Sequence, residues 1–282
     1  MITLQHSLVT LFGLRGDEEK FDDEIAYTLI PDAIRRYTKS RQYSHFEEHP
    51  TRKDDIAYMA YPEDLKGIGE DILEKVNHYM ADDIPACKLG ERSHIETFEK
   101  YNQHLSPKYF AGVKKHLTQD IVFDDFIREN IDCSRKFEDK YVFHGKEFDG
   151  NGIRDKIAEI ENQGLYVLAF MVHEAYGITA NQEWFDKHVK DILDKEYSKE
   201  MKESTYNYMK IPTEINERIT NHDWSHIHDG EISCKDYMKM YEEAIEKMPE
   251  IDRERKDKEN NLQKQNSRKV EPKKAVISLE ER

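Results

Sequence analysis

Thirteen histidines and fifty-eight Asp and Glu residues give this chain ample raw material for a metal site, since imidazole and carboxylate are the usual zinc ligands outside thiolate sites. A His with an Asp, Glu or His four residues later places both side chains on one face of a helix. That spacing occurs at His45 and His49, His78 and Asp82, His116 and Asp120, and His222 and His226. Random placement of the same residues would give roughly three such pairs, so spacing alone selects none of them. The setting distinguishes His116 and Asp120. Val113, Leu117, Ile121 and Phe126 lie at helical spacing around them. Ionisable groups beside an apolar stripe are costly to desolvate unless something compensates, and a divalent cation would do so. The competing reading is a half-exposed His⁺···Asp⁻ helix pair worth about 0.3 kcal/mol.

In the N-terminal third, Pro31-Asp32 opens a helix and Ser44-His45-Phe46 follows thirteen residues after the aspartate. A carboxylate at a helix start is held ionised by free backbone N–H groups, which suits a hard metal ligand as well as a simple cap.

The elements that would position these residues are helices. Residues 68 to 80 put Ile68, Ile72, Val76 and Tyr79 on one stripe, and 111 to 130 carry the stripe around His116. Residues 153 to 176 are the most apolar segment; 181 to 203 and 234 to 248 continue the pattern, the latter through Tyr237, Met240, Tyr241, Ala244 and Ile245. Strand-like alternation is nearly absent. The expected fold is all-α, a multi-helix bundle with polar connections around 37 to 66, 82 to 93, 132 to 152 and 211 to 233. A single helical metal-binding domain over 1 to 250 is expected to end in a charged tail over 251 to 282, a frayed helix end running into disorder.

Composition narrows the function classes. No run approaches the ~18 apolar residues of a spanning helix, and residues 1 to 16 lack the basic start and small-residue cleavage site of a secretory signal, so a cytoplasmic location is expected. The last 32 residues hold ten Lys and Arg against seven Asp and Glu, leaving 33 against 51 in the rest and a net charge of −18. A field of that sign repels phosphate backbones and anionic lipid, so double-stranded nucleic acid is not an expected partner. Cys87, Cys133 and Cys234 show no C-x-x-C spacing and read as three reduced core thiols. No G-x-S-x-G elbow, Walker loop, G-x-G-x-x-G turn or H-E-x-x-H helix is present.

Taken in order, His6 in QHSLVTLFG, Pro31-Asp32, His45 in SHF and His116-Leu-Thr-Gln-Asp120 resemble the zinc-dependent phospholipase C and single-strand nuclease superfamily, in particular its short bacterial members, over residues 1 to about 150. The resemblance implies an all-helical fold in which clustered zinc ions hydrolyse phosphodiesters. Carried over residue by residue, it implies one four-coordinate site of Asp32, His45, His116 and Asp120, with His6 holding a second ion bridged through Asp120. His116 and Asp120 are then the residues at the catalytic centre.

The departures lie at the family's third metal position, which takes a further His and a His-x-x-x-Glu pair. His144 to Glu147 is one residue short, and His173-Glu174 are adjacent. The family's secreted members also use a processed N-terminal amine as a ligand, whereas here Met1 opens a run with no signal peptide. One or two zinc ions and a small soluble phosphoester substrate are therefore the expectation.

Residues 221 to 230 (NHDWSHIHDG) could complete that site or form a hydrated surface loop. Their two His-Asp steps also admit an HD-type phosphohydrolase. From a different class, the chain could be a non-catalytic interaction or regulatory protein on the same scaffold, meeting a protein partner through its acidic surface or the tail 251 to 282.

Overall fold

A computed structural model describes residues 1–38, 95, 98–99, 106–196 and 199–269. The expected helix over 68 to 80, most of the connection over 37 to 66, the connection over 82 to 93, and His45 lie outside the described residues. Among the described ones the fold is all-α with one small sheet.

Helix α1 (Thr3–Gly13) is the centre of the bundle, and every residue from Thr3 to Leu11 is buried. A helix buried all round must satisfy its polar side chains internally. Ser7 and Thr10 do so by donating to the carbonyls of Thr3 and His6 on the preceding turn. Helix α2 (Glu18–Thr28) starts at Asp17, whose carboxylate accepts from the Lys20 N–H, and α3 (Ile30–Thr38) follows almost directly.

Helix α4 (Pro107–Asn130) opens with proline at its first position, where the missing N–H has no partner to lose. It packs along α2 at unusually close range. A Cβ on Gly112 would lie 2.5 to 2.9 Å from Cβ and backbone atoms of Tyr27, so only glycine allows the two helices this approach. Its buried face contains Val113, Leu117 and Phe126 of the expected stripe with Ile127 beside them, and Ile121 is half-buried.

Helix α5 (Gly150–Tyr176) is capped by Asp149, which accepts from Gly152, and ends in left-handed Gly177, whose N–H returns to the His173 carbonyl. Between α4 and α5 lies an antiparallel sheet of β1 (Ile131–Asp132), β2 (Tyr141–Phe143) and β3 (Lys146–Phe148), where a connection is expected from the sequence. Its hairpin turns on His144 and Gly145, both with positive φ, as a two-residue connection requires.

The single helix expected over 181 to 203 is divided into α6 (Gln182–Phe185), a π-turn (Asp186–Lys190), α7 (Asp191–Glu196) and α8 (Lys199–Tyr206). The π-turn presents His188 between Glu18 and Asp22 of α2, with contacts of 3.0 and 2.8 Å. Helix α9 (Thr213–Thr220) occupies part of the expected 211 to 233 connection. Helix α10 (Cys234–Glu246) follows the Ser233 cap and buries Tyr237, Met240, Tyr241 and Ala244 as its spacing predicts.

Residues 251 to 269 of the expected tail continue the chain as α11 (Met248–Lys269), docked on α4, a longer helix end than the sequence suggests, and residues 270 to 282 lie outside the described residues. Met248 and Ile251 are buried, and several charges of α11 find partners. Lys115 of α4 reaches Glu24 and Asp252 at 2.7 Å each, Lys114 reaches Glu99 and Glu254 at 2.6 Å each, and Arg255 reaches Glu24 at 2.8 Å.

No helix among the described residues is long and apolar enough to cross a membrane. Cys234 is a free buried thiol, but Cys133 is disulfide-bonded, which corrects the expectation of three reduced thiols.

Candidate metal centre

Two helices from distant parts of the sequence supply the centre. Helix α1 brings His6 and α4 brings His116 and Asp120, which four-residue spacing sets on one face. One ligand atom from each lies within 4.8 Å of the others, and all three residues are buried. His6 and His116 are fully buried and Asp120 is 7% exposed. The imidazoles stack with ring centroids 3.8 Å apart and planes inclined by 20°. Asp120 turns one oxygen to each ring, Oδ1 at 3.2 Å from His6 Nε2 and Oδ2 at 3.4 Å from His116 Nε2.

The far side of each ring meets an acceptor. His116 Nδ1 lies 3.0 Å from the Thr28 carbonyl oxygen at the end of α2, and His6 Nδ1 lies 2.6 Å from Gln119 Oε1. A carbonyl can only accept, so both Nδ1 atoms donate, and both Nε2 atoms face Asp120. The Gly112 contact with Tyr27 brings the neighbouring Thr28 carbonyl within reach of His116.

The charge balance follows from the neighbours. Burial, reinforced by His116 beside it, pushes the His6 pKa below the ordinary histidine value. Asp120 is held well below the usual carboxylate range by the Met1 ammonium, His116 and His6, against the opposing effect of burial. The Met1 ammonium donates to Asp120 Oδ1 at 3.0 Å, and the charge of Asp120 raises its pKa although burial works the other way.

The structure brings together three of the five metal ligands expected from the sequence. His6 lies in one group with His116 and Asp120, beside the carboxylate through which the resemblance bridges it. Asp32 is 2% exposed on α3 and accepts a 2.6 Å hydrogen bond from Thr3 Oγ1. Its charge acts on His6, yet it is not in the three-residue group. His45 lies outside the described residues.

His144 forms the hairpin turn, Glu147 pairs with Arg135 and Lys140, and the rings of His173 and His222 meet at a tilt with centroids 4.2 Å apart. Residues 221 to 230 form a turn-rich surface loop, with His226 paired to Asp229 and Trp224 packed on Tyr166 and Phe170 of α5. None of these residues enters the three-residue group.

Two residues near the site were not legible from spacing. Gln119 lies inside the His116 to Asp120 interval, and its role depends on a contact 113 residues away in sequence. Glu161 of α5 is half-buried and acts on the site through its charge, which no spacing signals. Burial raises the Glu161 pKa and the negative charges of Asp120 and Asp32 add to this, while the Met1 amine and Arg35 oppose it.

Comparison with protein-family models, with curated proteins and with solved structures gives no match.

Proposed function

We propose that the chain is a metal-dependent hydrolase of a phosphoric ester, most simply a small soluble phosphodiester, with one or two zinc ions at His6, His116 and Asp120. The observation that carries this reading is the convergence of two imidazoles and a carboxylate, all buried, with ligand atoms inside 4.8 Å. Two features fit a cation. His6 Nε2 is buried with no hydrogen-bond partner, and two imidazole nitrogens with one carboxylate form a three-ligand shell that leaves a position for water or substrate. Bound zinc would supply a water of pKa near ~7 and polarise a phosphoryl oxygen.

The chain's own residues would do the rest. Thr28 and Gln119 orient the two rings, and Asp120 serves both of them. The test is hydrolysis of bis(4-nitrophenyl) phosphate by the zinc-loaded protein beside His116→Ala and Asp120→Ala. Hydrolysis by the wild type alone is expected, and equal hydrolysis in both variants refutes the assignment.

One observation favours a second reading. The Met1 ammonium already faces Asp120 at 3.0 Å, so the carboxylate has a cationic partner without any metal. A non-catalytic interaction protein built on this closed cluster would bind no zinc and would meet a protein partner through its acidic surface. Metal content separates the two readings.

A further inference from the structure

We infer that Gln119 is a positioning residue that fixes the tautomer of His6 and thereby prepares His6 Nε2 to take a metal ion, an inference that rests on the metal-site reading. Both residues are fully buried, and Gln119 Oε1 lies 2.6 Å from His6 Nδ1. An amide oxygen cannot donate, so the ring proton sits on Nδ1 and the lone pair on Nε2. That nitrogen is buried without a hydrogen-bond partner, 3.2 Å from Asp120 Oδ1 and on the ligand side of the group.

The arrangement leaves a polar group unsatisfied elsewhere. Gln119 Nε2 is buried and has no partner, so the amide is worse for folding than an apolar side chain of equal length unless its oxygen is needed. Its oxygen has one visible use, which is to accept from His6. Thr28 accepts from Nδ1 of His116 through a backbone carbonyl, so both stacked rings are anchored at Nδ1 by an acceptor. Because Gln119 is next to Asp120 and three residues after His116, one turn of α4 supplies a ring ligand, the carboxylate and the group that orients the other ring.

Without the acceptor, the proton has a better place. On Nε2 it faces Asp120 Oδ1 at 3.2 Å, and that hydrogen bond would occupy the lone pair a metal needs. Gln119→Met keeps the length and volume and removes the oxygen; Gln119→Glu keeps an oxygen acceptor.

The test measures tautomer and metal affinity separately. Long-range proton–nitrogen NMR on uniformly ¹⁵N-labelled, metal-free protein, with the His6 ring assigned by comparison with His6→Gln, reports which nitrogen is protonated. Zinc affinity is measured by competition with a chromophoric chelator. The wild type and Gln119→Glu should carry the proton on Nδ1, and Gln119→Met should carry it on Nε2 and bind zinc about tenfold to a hundredfold more weakly. Should Gln119→Met lose its fold, Gln119→Ala carries the same readout. An Nδ1 proton retained in the folded Met or Ala variant overturns the inference. A tautomer that follows Gln119 in a protein taking up no zinc supports the positioning role while removing the metal reading.

Discussion

His6 and His116 stack face to face at 3.8 Å although 110 positions separate them in sequence, and this contact joins the central helix α1 to α4. Both rings are fully buried and each is anchored on its far side, so the pair is also part of the core. His6→Ala in the metal-free protein removes the stack, opens a cavity and strands Gln119 Oε1. A loss of about 3 kcal/mol is expected in chemical denaturation. A change below about 0.5 kcal/mol would show that the stack is not part of the folded state.

Gly112 is expected to be intolerant of a methyl group. Gly112→Ala would place Cβ within 2.6 Å of the Tyr27 backbone and force α2 away from α4. Overpacking of this kind costs about 1 to 3 kcal/mol, outweighing the helix propensity alanine gains. The displacement should also pull the Thr28 carbonyl from His116 and lower zinc affinity. Denaturation and zinc titration of this variant check both parts, and wild-type values in both would contradict the close approach.

Helix α11 is expected to be integral to the body. Lys115 is 2% exposed and holds Glu24 of α2 and Asp252 of α11 together. Lys115→Ala leaves carboxylates facing one another and should cost about 3 kcal/mol. Deleting residues 251 to 282 should likewise lower the melting temperature, because buried Ile251 and the partners of Lys114, Lys115 and Arg255's Glu24 are lost or exposed. An unchanged melting temperature would return these residues to the status of a dispensable tail.

Acid should loosen the same junction. Lys115 and Arg255 hold the Glu24 pKa below the ordinary glutamate value of 4.5 although burial opposes them. A carboxylate with a depressed folded pKa contributes stability that is present above its unfolded pKa and is lost as pH falls through the folded one. Stability should therefore fall as pH drops below about 4.5, and Glu24→Gln should flatten that dependence. Melting temperatures from pH 6 to 3 for the two proteins check this, and parallel curves would rule Glu24 out as a contributor.

The parts of the fold that were legible in the sequence are those whose apolar residues repeat at helical spacing. Val113, Leu117 and Phe126 announce α4, and Tyr237, Met240, Tyr241 and Ala244 announce α10, because each stripe faces a single core. The hairpin was not legible. Its strands are two or three residues long, and it turns on His144-Gly145 instead of an Asn-Gly or Asp-Gly step. The docking of α11 was not legible, because much of it runs through charges, whose partners on α4 and α2 leave no periodic trace.

The site divides in the same way. His116 and Asp120 could be found because one helix carries both. The arrival of His6 on the same oxygen pair, and the support from Gln119 and Thr28, depend on how α1 and α2 pack against α4. Asp32 is buried as a carboxylate near a helix start and accepts from the Thr3 hydroxyl, outside the three-residue group.

The central claim is tested most directly by metal content. The untagged wild type, reconstituted with zinc and freed of excess, would be measured by inductively coupled plasma mass spectrometry beside His6→Ala, His116→Ala and Asp120→Ala. The account predicts near-stoichiometric zinc in the wild type and its loss in all three variants. A wild type that holds no zinc after reconstitution, or zinc that survives all three substitutions, would contradict a metal centre at these residues.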